Sequence, residues 1–490
     1  MNFLSFDVGT TCCKCQLFSD RGEILEYYSE EYDFLRKDGE LYADINAVWR
    51  HLKSMIKKIA ASRKISSVCI SSFGESFVLL DEDDNILFYP MLYTDPRGEE
   101  EAEEVLKELG AEYIFGITGV APQSMYSLYK LLWIKKHEPE VFAKGKKVSL
   151  ICDYLGYLLT GKRVIDYGLA SRTGAFDIAN MKFSEEILGK FGISPSLFSA
   201  PQKTGSIVGE LKDDLKKELG IENSCILVLG SHDQVCNALG SGILEAGDAV
   251  DGMGTVECIN AVFDKRPTEV EMGIQGYSVV PYAVEGMYCT IILNYSCGST
   301  VNWYRKKIMH GYKGDEKDFF TYIEKGMPEG PTGILLLPYF GGAATPFQDI
   351  NAKGAFIGLT IQTTDSDLYK AIMEGTAMEM RYNAEVVKKY GADIKKITAT
   401  GGGANSSLWL QLKADIQNVE VKTLRSSEGG LCGCAILQAV AAGEESSFKA
   451  AASKFVIYGN TYFPREEVTS SYSDQYEKYK KLYKTLKEFN

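Results

Sequence analysis

Histidine is scarce in this sequence: four in 490 residues leave little from which to build the commonest metal centres. The tight cysteine pairs Cys13/Cys15 and Cys432/Cys434 do not supply one either, because a structural zinc site takes wider-spaced ligand pairs completed by nearby His or Cys. No apolar run reaches the roughly 18 residues that a membrane span needs, and the start of the chain has no basic stretch followed by an apolar core and cleavage site. Positive charge is short as well. Lys and Arg number 53 against 66 Asp and Glu, a net charge of -13, whereas binding a phosphate backbone needs clustered cations. The expectations are a cytoplasmic protein, no nucleic acid, no membrane, and a small-molecule partner. Under those conditions the 12 cysteines read as reduced thiols, mostly small buried apolar residues.

What the chain does have is an ordinary globular composition, 45% hydrophobic and 24% charged, over a length that calls for two cores rather than one. Strand-like segments (65–72, and 77–90 with an acidic turn) alternate with helix-like ones (45–62 and 98–109), so the class is α/β. No low-complexity linker separates domains. The small-residue stretch SGILEAG, 241–247, is the best boundary and predicts domains 1–245 and 246–490. The lysine-rich stretch 475–489 reads as a solvated surface helix.

The opening carries the first chemical signal. An apolar strand runs into DVGTTCCK, Asp7 to Lys14, and a second strand follows at once. The plan returns in AVDGMGTVECINAVFD, Ala249 to Asp264, where Gly254 and Thr255 match Gly9 and Thr10. Two further stretches, CILVLGSHDQVCNALGSG and KITATGGGANSSLWLQL, each read as strand, small-residue turn and helix, which predicts two related halves. The second half has Gly252 in place of Asp7 and Gly402 or Gly403 in place of Asp233, so this pairing leaves the acids on the N-terminal side. Two Gly-Thr hairpins facing one another can offer backbone N–H groups and hydroxyls to phosphates, with glycine permitting close approach. Asp7 then suits magnesium, and Lys14 a transferring phosphate. A lone D-x-G-T-T is more often a plain hairpin turn; the second copy shifts that balance.

With these residues the sequence resembles the FGGY carbohydrate kinases, a group within the superfamily of actin, hexokinase and heat-shock chaperone ATPases. The resemblance covers nearly the whole chain. It rests on MYSLYKLLWIKKH, Met125 to His137, with Ser127, Lys130 and Trp133, and on GAFIGLTIQTTDSDLYKAIME, Gly354 to Glu374. It implies two related actin-like (ribonuclease H-like) domains, mixed sheets flanked by helices, and a nucleotide cleft between them. It also implies ATP and Mg2+ as cofactors, and it allows a homodimer. Asp7, Gly9, Thr10, Thr11 and Lys14 then match the first phosphate motif, and Gly254 and Thr255 the second. Gly401, Gly402, Gly403 and Asn405 match the adenosine loop, and 426–435 the segment beside the adenine. A tight strand-to-helix turn is the bland alternative for the three glycines. Asp233, in GSHDQ, matches the catalytic base that takes a proton from a sugar hydroxyl as it attacks the γ-phosphate; a helix N-cap is its structural alternative. His232 reads as structural or substrate-lining, since neighbours in sequence do not make a triad. Ligands held between Thr10 and Thr255 would draw the two halves together.

For the substrate, the resemblance points to Glu75, Asp95, Arg97 and Gln234. Gly74-Glu75 departs from the Met-His of xylulose kinases, and Glu75-Ser76 partly fits the glycerol kinase pattern. The pairs Phe73-Gly74 and His232-Asp233 partly resemble deoxyketose kinases of the fuculose or rhamnulose kind. A pentulose such as xylulose is the reading, with deoxyketose or glycerol as alternatives. An actin-like or chaperone-like ATPase switch is the alternative outside the kinases.

Overall fold

The computed structural model describes residues 1–489 except 310, 311, 313, 426 and 427. The chain opens with a meander of β1 (Asn2–Val8), β2 (Cys12–Ser19) and β3 (Ile24–Glu31). Helix α1 (Ile45–Ala60) follows, with Asp44 accepting a hydrogen bond from the Ala47 N–H at 2.9 Å as its N-cap. Its buried Val48, Leu52, Met55, Ile56 and Ile59 recur at helical spacing and face the core. The chain then enters β4 (Ser67–Ser72), buried along its whole length, as a central parallel strand must be. Residues 73–206 form an insertion of helices and small sheets that includes α2 (Ser127–His137). β5 (Ile207–Glu210), β6 (Ile226–Val228) and α3 (Asp233–Gly240) complete the first half.

The second half repeats this with β7 (Asp248–Met253), β8 (Glu257–Phe263), β9 (Val280–Pro281) and β10 (Tyr288–Asn294). After α4 (Asp365–Lys388) come β11 (Lys396–Thr400), α5 (Ser407–Gln417), β12 (Glu420–Leu424), α6 (Gly429–Ala441) and β13 (Tyr458–Tyr462). The first sheet runs β5-β6-β4-β1-β2-β3 and the second β13-β12-β11-β7-β8-β10-β9. In both, an antiparallel meander continues into two parallel strands and one antiparallel edge strand. This is the two-domain actin-like ATPase fold. The repeated hairpins fall in equivalent places: Asp7 sits beside Ser71 of the parallel neighbour, as Gly252 sits beside Thr400.

The sheet order corrects the rest of the echo. The strand before Asp233 is β6, whose counterpart is β12, so the helix that Asp233 opens corresponds to α6 and not to the helix after Gly403. The 401–405 loop follows β11, the counterpart of β4, and so corresponds to the loop carrying Glu75. Each half contains two strand-turn-helix units of similar composition, and only the hydrogen-bonded neighbours tell them apart. Nor are acids confined to the N-terminal half. Asp251 and Glu257 flank the second hairpin, and Glu428 precedes α6.

The C-terminal stretch is also corrected. It breaks into Ser473–Tyr479, Leu482–Leu486 and a final short turn, and it is packed rather than simply solvated. Tyr472, Tyr476, Tyr479 and Tyr483 are buried. The Tyr472 hydroxyl donates to Glu374 at 2.8 Å, Tyr479 donates to Glu379, and Tyr483 donates to Asp349 at 2.8 Å. Their three- and four-residue spacing is a helical stripe, and Lys480 and Lys487, each four residues on, lie over the rings of Tyr476 and Tyr483.

The corresponding helices α3 and α6 pack directly on each other. A Cβ on Gly240 would lie 1.9 Å from the Gly429 carbonyl oxygen, and one on Gly433 would lie 2.0 Å from that of Cys236. From α6, Gln438 reaches into the first sheet, accepting from Ser67 Oγ at 2.7 Å and donating to Ser5 Oγ at 3.1 Å. All 12 cysteines are unpaired, and all but Cys12 and Cys258 are buried, several of them here. Gly433→Ala tests the contact. On helix propensity alone it would stabilise α6 by up to about 1 kcal/mol; the clash should instead destabilise by about 1–3 kcal/mol or more, read from urea denaturation midpoints.

Candidate active site

The ends of β1 and β4 and the starts of α3 and α6 meet around two carboxylates. Asp7 accepts from Ser71 Oγ at 2.6 Å, and burial raises its pKa from the usual carboxylate value. The first turn of α6 lies against it: a Cβ on Gly430 would be 3.4 Å from the Asp7 carboxylate. Asp233 opens α3 with its side chain one-third (33%) exposed. Its Oδ1 is buried without a hydrogen-bond partner. Burial, then the charges of Asp7 and Glu75, push its pKa up to about 7. His232 Nε2 lies 3.4 Å away, and burial, followed by the Arg172 charge, keeps that imidazole neutral. The loop is anchored behind by Ser231 Oγ, which donates to buried Asp166 at 2.6 Å.

Helix α2 holds two further loops. Ser127 Oγ donates to the Glu75 carbonyl at 2.6 Å, and the buried Lys130 ammonium to the Asp95 carbonyl at 2.9 Å. Trp133 on the same helix forms one of two aromatic faces, with Tyr42, against Arg97. Arg97 in turn grips the Asp95 carboxylate through Nε at 2.9 and 3.1 Å and donates to the Tyr42 hydroxyl at 3.0 Å. Asp95 and Arg97 therefore satisfy one another. Glu75, at φ 64° and 3% exposed, is paired as well: Arg172 Nε donates to its Oε1 at 2.6 Å, and the guanidinium lies over Tyr126. The sequence reading misses Arg172. Its signal is a single charge in the uncharged run YGLASRTGAF, which a fold buries only with a partner. Gln234 is held from the other half, its Oε1 accepting from Asn260 Nδ2 at 2.9 Å.

The second hairpin and the glycine loop meet at a cavity of about 560 Å³, where Gly254, Thr255, Gly402, Gly403 and Asn405 line the wall with Met253 and Trp409. Gly401 lies beneath it at φ 81°, where a Cβ would meet the Met253 carbonyl oxygen at 2.8 Å. A β-carbon is excluded there by both conformation and space. The N–H groups of Gly298 and Ser299 hold the Gly254 and Thr255 carbonyls at 3.0 Å each. In the first hairpin, the Tyr32 hydroxyl donates to the Gly9 carbonyl and its N–H to the Thr11 carbonyl at 3.0 Å. Thr10 is half-buried and Thr11 exposed at the tip. Lys14 is not free: its ammonium lies 3.1 Å from both oxygens of Glu428, a link between the two halves that raises the lysine pKa although burial opposes it. Of the segment read as lying beside the adenine, Ser426 and Ser427 fall outside the described residues, and 429–435 form the first turns of α6.

The fold is that of a two-lobed phosphotransferase, with Asp7 at the end of β1 and Asp233 at the start of α3. The chain belongs to the FGGY family of carbohydrate kinases: the N-terminal domain model of that family matches residues 2–240, and the C-terminal domain model residues 252–442. Among relatives, a xylulose kinase of Staphylococcus epidermidis is 26% identical over 99% of this chain and 97% of its own length. A gluconokinase of Bacillus subtilis is 28% identical over 94% and 90%. A ligand-bound xylulose kinase from Lactobacillus acidophilus superposes with a TM-score of 0.90 at 24% identity, over 99% of this chain and 98% of that one. The chain is thus an ATP-using sugar phosphotransferase, and the non-catalytic switch falls away. Among the described residues no helix is long and apolar enough to cross a membrane.

The Glu75–Arg172 pair generates a stability test. Removing one partner strands a buried charge, so Glu75→Gln should destabilise by about 3–5 kcal/mol, whereas the neutral double variant E75Q/R172M should recover most of that loss. Equal midpoints for parent and E75Q in guanidinium titration would show the pair to be energetically idle.

Proposed function

We propose that the chain transfers the γ-phosphoryl group of ATP to a hydroxyl of a small neutral ketose or polyol, most directly a pentulose such as xylulose. In this reading residues 1–245 hold the sugar and the base, and residues 246–490 the adenosine and the second phosphate hairpin. The observation that carries the substrate reading is the charge around Asp233. Asp7, Glu75 and Asp233 are carboxylates, while the cations beside them, Arg172 and Lys14, are already paired with Glu75 and Glu428. A carboxylate substrate such as gluconate would meet a net negative pocket there, and a neutral polyol would not.

Asp233 takes the hydroxyl proton as the sugar oxygen forms its bond to phosphorus and the bond to the ADP oxygen breaks. Its side chain is one-third exposed, which leaves the carboxylate open to a hydroxyl, and its pKa near 7 matches the operating range of a general base. Thr10, Thr11 and Thr255 present turn N–H groups and hydroxyls to the phosphates, while Gly9 and Gly254 close the turns with their own N–H groups and let the backbone come close, and Lys14 can move from Glu428 to a phosphate oxygen. Glu75, Asp95, Arg97 and Gln234 hold the sugar side, the first three through the pairings described above. Magnesium fits the donor set: among the described residues no three metal-ligating side chains gather, and this ion is ordinarily held by one or two carboxylates with phosphate and water oxygens. Asp7 would hold it, and the ion would neutralise phosphate charge.

Asp233 sets two signs. As a base it must be ionised, so kcat/KM should rise with pH up to about 7 and level above. Its carboxyl keeps a proton in the native state to about 7 but releases it near 3.8 when unfolded. Stability from this group is therefore lost as pH rises between those values. Asp233→Asn should cut kcat by about two to four orders of magnitude while raising Tm at pH 8 and not at pH 4. Unchanged kcat would remove Asp233 from the chemistry.

The substrate itself is tested by ADP release against xylulose, ribulose, fuculose, rhamnulose, glycerol and gluconate. The highest kcat/KM should fall on a pentulose. A winning gluconate would overturn the charge argument, and a winning deoxyketose or glycerol would keep it while replacing the sugar.

A further inference from the structure

A second charged cluster lies behind the nucleotide cavity, outside the residues so far assigned a role. Lys413, on α5, is fully buried, with 0% of its side chain exposed. Its ammonium binds Asp251 on β7 at 2.6 Å and also binds Glu257 on β8, both carboxylates being equally buried. These acids flank the hairpin tip that carries Gly254 and Thr255. Strand pairing sets Glu257 opposite Met253 and Ile259 opposite Asp251, so both acids project to the face that α5 covers. The helix supplying the lysine begins directly after the glycine loop, with Ser406 as its N-cap. One ammonium thus ties the phosphate hairpin to the element that presents the adenosine loop.

Two features separate this cluster from ordinary core packing. A buried ion cluster is a poor source of stability, because desolvation offsets much of the attraction; a hydrophobic filling would serve the fold as well. The outer oxygens Asp251 Oδ1 and Glu257 Oε2 have no hydrogen-bond partner. Burial raises the Glu257 pKa against the pull of Lys413. What the cluster gives is a fixed distance. Lysine reaches two strands at once, and both strands end at the turn lining the cavity.

We propose that Lys413, with Asp251 and Glu257, is a positioning residue for nucleotide phosphates: it fixes the Gly254-Thr255 turn relative to the glycine loop, so the C-terminal half-site is formed before nucleotide arrives. This rests on the nucleotide reading of the cavity. A misplaced turn would lose phosphate contacts but leave the adenosine wall and the sugar pocket intact.

The test uses the full chain and its variants E257Q and D251N/E257Q/K413M, the second being charge-neutral to preserve folding. Calorimetry measures the Kd of a non-hydrolysable ATP analogue with magnesium and of adenosine alone, and sugar KM is measured alongside. The triple variant should unfold cooperatively near the parental Tm and bind the analogue about tenfold or more weakly, as small misplacements can do, with adenosine Kd and sugar KM unchanged. E257Q should weaken the analogue alone to a lesser degree, and it carries the test by itself if the triple variant does not fold. Parental analogue affinity in whichever of these variants folds overturns the proposal. So does equal weakening of analogue, adenosine and sugar, which marks a general structural role. A parent that binds neither analogue nor adenosine overturns the reading of the cavity itself, and the proposal with it.

Discussion

The approach of α3 to α6 is the constraint on which the site depends. Their backbones come so close that Gly240, Gly429 and Gly433 have no room for a β-carbon, and each helix belongs to a different half. Because the two occupy equivalent places in related sheets, they cross antiparallel: the last residue of α3, Gly240, meets the first of α6, Gly429, and Cys236 meets Gly433, while Asp7 lies against Gly430 in the first turn of α6. A bulkier contact would push the start of α6 away from β1. A helix N-terminus favours anions, so the same contact that gathers the start of α6 with Asp7 also prepares a place for phosphate.

That gathering has an electrostatic consequence. Asp233 is perturbed first by burial, and then by Asp7 and Glu75, the residues that the proposed function places near metal and sugar. Its basicity is a property of the arrangement and not of one side chain. Arg172 restrains the effect from the opposite side by pairing with Glu75, and it adds to the burial that keeps His232 neutral. The base is therefore strong enough to accept a proton near neutrality without a second titrating group competing for the role.

How much of this was legible in sequence depended on how local the information was. Both Gly-Thr hairpins, the glycine loop and the α2 motif are contiguous in sequence; the second hairpin and the glycine loop share one cavity wall, and Ser127 and Lys130 of α2 reach the loops of Glu75 and Asp95. The internal repeat was legible as a fact but not in register, since strand-turn-helix units recur twice in each half and only sheet neighbours identify them. Arg172, 97 residues from Glu75 in the chain, and Lys413, 162 from Asp251, were not legible, because nothing near either residue names its partner. The tyrosine stripe 472–483 was legible in its spacing, but the intervening lysines pointed to a solvated helix and Glu374 and Glu379 lie about a hundred residues away.

The α2 motif shows why such a scaffold can serve several sugars. Ser127 and Lys130 donate to the backbone carbonyls of Glu75 and Asp95, not to their side chains. A donor aimed at backbone fixes where a loop passes while leaving free which side chain it carries into the pocket. Substitutions at such loop positions change the hydroxyl-binding groups without disturbing the framework, and an unmatched hydroxyl is then penalised by an unpaired buried partner. Full-length resemblance to xylulose kinase and to gluconokinase at similar identity is what that arrangement would produce. In the proposed reading, discrimination between a neutral ketose and a sugar acid then falls to the few charges around Asp233, where Arg172 is already committed to Glu75.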